Sequence, residues 1–91
     1  MISESEAIRR LQNAVARVGA GLILDRGAVR YVADPFPGVE YGLRLGEAGA
    51  LLFVPEADVT ATDWEMRLFK KIEAAKRYLE EFPQARERRR Q

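Results

Sequence analysis

Trp64, Leu68, Ile72, Ala75, Leu79 and Phe82 recur every three or four residues. At 100° per residue they form a single apolar stripe about 80° wide. A helix with one narrow stripe is marginal alone in water and needs a second surface to lie on. That need constrains the fold more than any other feature, because the rest of the chain must supply the surface. The stretch Val59-Thr60-Ala61-Thr62-Asp63-Trp64 reads as the start of this helix. Thr60 is the expected N-cap, Asp63 its capping-box partner, and Val59 a hydrophobic staple against Trp64, with Thr62 and Glu65 as a rival box. Asp63 and Glu65 suit the positive end of the helix dipole, and Pro83 stops the helix. The pattern predicts a helix of about 23 residues, roughly 34 Å long.

A second helix opens the chain. Ser3 is placed as N-cap with Glu6 three residues on, the spacing of a capping box. Ile8, Leu11, Val15 and Val18 follow at helical intervals, and Gly19 is suited to end the helix in a left-handed conformation. Residues 4–18 are therefore expected to be an amphipathic helix.

The middle of the chain reads as β. Leu22-Ile23-Leu24 and Val29-Arg30-Tyr31-Val32 flank Asp25-Arg26-Gly27, a hairpin with a short glycine-containing turn. Asp34-Pro35-Phe36-Pro37-Gly38 interrupts the ladder, since prolines cannot continue it. Tyr41, Leu43 and Leu45 then alternate with Glu40, Gly42 and Arg44, the pattern of a half-buried strand. Gly46-Glu47-Ala48-Gly49 turns the chain, Leu51 to Val54 returns, and Pro55 ends the second hairpin. The expected fold class is α+β: a two-layer α-β-β-β-β-α domain with an antiparallel sheet of about four strands and both helices on one face. Residues 1–83 form that one domain, and residues 84–91 form a basic C-terminal tail. A five-residue strand spans about 17 Å, so the long helix is expected to overrun the sheet and carry Tyr78, Leu79 and Phe82 past it.

The residue inventory narrows the chemistry. The sequence has neither histidine nor cysteine, which removes the usual neutral-pH general base, the commonest metal ligand and any thiolate nucleophile. Ser3, Ser5, Thr60 and Thr62 all sit in helix-start patterns, with no base beside them to activate a hydroxyl. Asp25, Asp34, Glu40, Glu47, Glu56 and Asp58 are scattered without calcium-loop spacing. The glycines match turns and not a phosphate-binding loop. No catalysis, cofactor or metal is expected. The longest apolar run, Ala50 to Val54, is too short to cross a bilayer or to form a signal-peptide core. A cytoplasmic location with no membrane association is the expectation.

Charge separates two binding classes. The net charge is +1. Arg86, Arg88, Arg89 and Arg90 against Glu87 give the tail +3, which leaves the body at −2. The element order is similar to that of double-stranded RNA-binding domains, and the resemblance implies a grip on A-form RNA by shape and phosphate contact. On that alternative reading Arg9, Arg10 and Arg17 act with Arg86, Arg88, Arg89 and Arg90. Where that family opens its second helix on a lysine cluster, this chain has Asp63 and Glu65, which repel a phosphate there.

Protein binding is the principal expectation, and three features converge on it. Leu22-Ile23-Leu24 and Leu51-Leu52-Phe53-Val54 are apolar at consecutive positions, so helices on one face leave Ile23, Val32 and part of Leu51 or Phe53 bare. Met66 and Phe69 lie opposite the stripe of the long helix, and such residues are enriched in interfaces. Tyr78 and Phe82 extend toward the end of that helix, and Phe36, between two prolines, offers a rigid anchor. A small accessory, adaptor or inhibitor protein is expected, of a kind phage or mobile elements encode, binding a protein partner or forming a homodimer.

Overall fold

Ser3 Oγ accepts the amide of Glu6 at 3.1 Å, and from that cap α1 runs over Glu4–Val18. The computed structural model describes residues 2–19 and 21–82. Glu6 leaves the capping box half made, because its carboxylate accepts from Arg9 and Arg10 instead. The helix ends as expected at Gly19, whose φ of 69° is costly for any residue with a Cβ.

Three strands follow: β1 (Ile23–Val32), β2 (Gly38–Leu45) and β3 (Ala48–Pro55), paired antiparallel in the order β1-β2-β3. Among the described residues the sheet has three strands and not the predicted four. Both halves of the predicted first hairpin belong to β1 and pair with β2, from Ile23↔Arg44 to Asp25↔Gly42 and again from Arg30↔Glu40 to Val32↔Gly38. Asp25-Arg26-Gly27 is a bulge within that strand, with the Gly27 amide donating to Asp25 Oδ1 at 3.2 Å. Turn-forming chemistry is present, but it bends the strand and does not reverse it. The β2–β3 hairpin is regular, from Gly38↔Pro55 to Leu45↔Ala48 around Gly46 and Glu47.

The long helix is also divided. α2 spans Glu56–Thr60 and α3 spans Trp64–Glu81. Thr60 does not cap α3; its hydroxyl donates to the Glu56 carbonyl at 2.9 Å, closing α2. Ala61 is extended, at φ −65° and ψ 154°, and breaks the helical run. Asp63 stands at the N-cap of α3 without a side-chain cap bond and pairs with Arg67 at 2.8 Å. Arg67 and Lys71 both reach Asp58, so α2 is clamped to α3.

The expected overrun of helix past sheet does not occur. Eighteen residues of α3 make about 27 Å, and eight residues of β3 make about 26 Å. Leu79 is accordingly buried, while Tyr78 and Phe82 stay half exposed. α1 packs over β1, α3 lies across β2 and β3, and the two helices lie side by side. Leu11, Leu43, Val54, Val59, Leu68 and Ile72 fill the space between the layers, each contributing about 1.5–3 kcal/mol by leaving water. The class is α+β with both long helices on one face of a three-stranded sheet. Among the described residues no helix is long and apolar enough to cross a membrane.

Candidate interaction surface

Strand alternation sorts the sheet residues into two faces. Leu24, Leu43 and Ala50 share a row on the helix side, as do Tyr31, Val39 and Val54. The rows between them face the other way. These are Ile23–Arg44–Gly49, Asp25–Gly42–Leu51, Arg30–Glu40–Phe53 and Val32–Gly38–Pro55. Both long helices pack on the first face, so among the described residues the second is bare.

Three large apolar side chains stand on this bare face: Ile23 at 58%, Leu51 at 54% and Phe53 at 41% exposure. Phe53 lies over Gly38. A Cβ built on Gly38 falls 2.5 Å from the Val54 carbonyl oxygen and 2.6 Å from Phe53 Cε1, so only glycine leaves room for the ring. The loop after β1, whose Asp34–Pro35 peptide is cis, brings Phe36 alongside. Val32, Asp34, Pro35, Phe36, Glu40 and Phe53 line a shallow cleft of about 280 Å³. Phe36 is 69% exposed at its rim. An ion pair on this face, Arg30 Nε to Glu40 Oε1 at 3.4 Å, is open to solvent and adds little stability. Charged groups stand among these side chains, Arg44 and Glu40 on the central strand and Asp25 and Arg30 on β1, so the face is mixed, with its apolar groups along β3 and at Ile23, Val32 and Phe36.

The other expected contact residues are distributed differently. Met66 is exposed on α3, but Phe69 is half buried, with the Arg17 guanidinium 5.5 Å from its ring centroid. The two line one open groove together. Arg17, Asp63, Glu65, Lys70 and Glu73 surround the pair with charged groups. Tyr78 and Phe82 pack against each other with centroids 5.0 Å apart and their rings tilted by 42°. Ile23, Val32 and Phe36 thus gather on or beside the bare face with Leu51 and Phe53, while Met66, Phe69, Tyr78 and Phe82 stay with α3. Sequence pattern alone did not reveal the Phe53–Gly38 contact, because it depends on the register of two strands.

The arginines of α1 are engaged within the fold. Arg9 and Arg10 bond Glu6 at 3.0 and 2.8 Å, and these two guanidinium contacts hold the Glu6 carboxyl down at about 2. Arg10 also donates to the Val59 carbonyl at 2.8 Å and lies over Trp64. Arg17 covers Phe69. Arg86, Arg88, Arg89 and Arg90 lie outside the described residues. Among the described residues no three carboxylates converge on a point where a metal could sit. Burial pushes the Tyr41 hydroxyl up to about 12. Compared with known proteins, the chain matches no family model, no curated protein and no solved structure.

Proposed function

We propose that the chain is a non-enzymatic protein-interaction module that works through the helix-free face of its sheet. The observation that carries this reading is the exposure of Ile23, Leu51 and Phe53 on a face that no helix covers among the described residues, with Phe36 raised beside it. Large apolar side chains left exposed together on one face are a mark of interaction surfaces. Phenylalanines such as Phe36 and Phe53 are enriched at interfaces. An accessory, adaptor or inhibitor role in the cytoplasm is the form of activity such a surface serves.

The test uses the double variant Ile23→Glu/Phe36→Glu, whose sites lie on β1 and in the following loop. Affinity capture from cells expressing the chain is run with the wild type and with the folded variant. A protein held by the wild type and lost by the variant supports the reading. A partner held equally by both, or a wild type that holds neither a partner nor a second copy of itself, overturns it.

A further inference from the structure

β3 forms one edge of the sheet, and among the described residues only β2 pairs with it. An open edge is a template for another strand, so proteins blunt edges with charges, prolines or bulges. β1, the opposite edge, is blunted in this way, by its bulge and by exposed Asp25, Arg26 and Arg30. β3 is not. Ala48 to Val54 carries no charge and no proline, and its register with β2 has no bulge. We infer that β3 pairs antiparallel with β3 of a second copy of this chain, about a two-fold axis beside Leu52, joining two three-stranded sheets into one of six strands. This rests on the protein-binding reading above but uses a different surface.

The helix layer identifies the second copy as the occupant. A two-fold axis normal to the sheet makes the new strand pair antiparallel and keeps both helix layers on one side. α3 lies across β2 and β3, with α1 beside it over β1. On the side of α3 toward the open edge, Lys71, Ala74 and Ala75 line a groove of about 320 Å³ with Tyr41, Leu52 and Phe53. An axis beside Leu52 therefore also passes close to Ala74. With strands about 4.8 Å apart, two α3 helices each centred between β2 and β3 come to lie about 10 Å from one another. That is the outer end of the 8–10 Å range in which helices pack. Ala74 is exposed and small enough to permit the approach, and Tyr78, one turn on, extends the contact. Lys71 in the groove is already paired with Asp58 at 3.6 Å. A strand about 26 Å long, with sheet and helix layers together about 20 Å deep, covers roughly 1,000 Å² in total, at the low end for a specific interface. Such a dimer dissociates on dilution.

Sedimentation of the full chain from micromolar to submillimolar concentration should show a monomer passing to twice the chain mass. Leu52→Lys, folded by circular dichroism, should remain monomeric throughout. The chain has no cysteine, so Leu52→Cys introduces a single thiol that should oxidise to a covalent dimer, while Gln12→Cys on exposed α1 should not. This second variant keeps the proposal testable if the lysine prevents folding. A wild type that stays monomeric, a dimer indifferent to Leu52→Lys, or Leu52→Cys cross-linking no faster than Gln12→Cys overturns the edge pairing. A dimer dissolved by Ile23→Glu/Phe36→Glu but not by Leu52→Lys overturns the edge while supporting the bare face. A strict monomer leaves the bare face to its own capture test.

Discussion

The guanidinium carbon of Arg10 lies 4.7 Å from the centroid of the Trp64 ring, joining the first long helix to the start of the last. The same side chain donates to the Val59 carbonyl and to Glu6, so one residue ties α1, α2 and α3 together. Arg10→Ala removes a cation–π contact and a charged hydrogen bond, and is expected to lower stability by about 2 kcal/mol. Arg10→Lys should rescue little, because a point charge cannot reach two acceptors and cover a ring at once. Chemical denaturation measures the loss, and a red shift of Trp64 emission reports the uncovered indole.

Gly38→Ala is expected to destabilise the fold by about 2 kcal/mol through overpacking. The new methyl meets both the Phe53 ring and the Val54 carbonyl oxygen. Adding Phe53→Ala should recover only part of the loss, because the backbone oxygen cannot move aside as a side chain can. Thermal unfolding of the two variants checks both statements.

Alkaline stability should depend on Tyr41. Its hydroxyl is raised from the ordinary 10.0 to about 12 by burial. Below pH 10 both states keep the proton, so the contribution is fully present. As pH rises toward 12 the unfolded chain loses its proton first, and stability falls by about 2 kcal/mol across that window. Tyr41→Phe should remove this part of the slope in denaturant titrations at successive pH values.

In acid the sign reverses at Glu6. Hydrogen bonds from Arg9 and Arg10 lower its carboxyl from 4.5 to about 2. Its contribution is present above pH 4.5 and is lost as pH falls through about 2. Glu6→Gln should flatten the acid limb of the stability profile slightly. High salt should shrink the difference between the two proteins, because the cluster is exposed and screened.

How far the fold was legible depended on whether one segment held all the information. Residues 4–18 were readable because their cap, stripe and terminal glycine are local, and the structure follows them closely. Asp25-Arg26-Gly27 misled because its turn chemistry is real, yet β2 is long enough to pair with both flanks, and that is not written in β1. Thr60 misled similarly: its hydroxyl can cap a helix ahead or close one behind, and the carbonyl of Glu56 decided the outcome. At the candidate surface, Ile23 was readable because a residue between two core leucines must point the other way. The covering of Phe69 by Arg17 was not, since it needs the relative placement of two helices. The contrast between the two sheet edges appeared only once strand order was known.

The bulge in β1 bears on how many copies an assembly can contain. A sheet with two open edges can extend without limit, each added copy offering a fresh edge to the next. Here one edge is bent and charged while the other is regular and uncharged, so a pairing that consumes β3 leaves only β1 edges outward. Growth by edge pairing then closes at two copies, and three extra residues in one strand, five steps on β1 against two on β2, separate a dimer from a fibre.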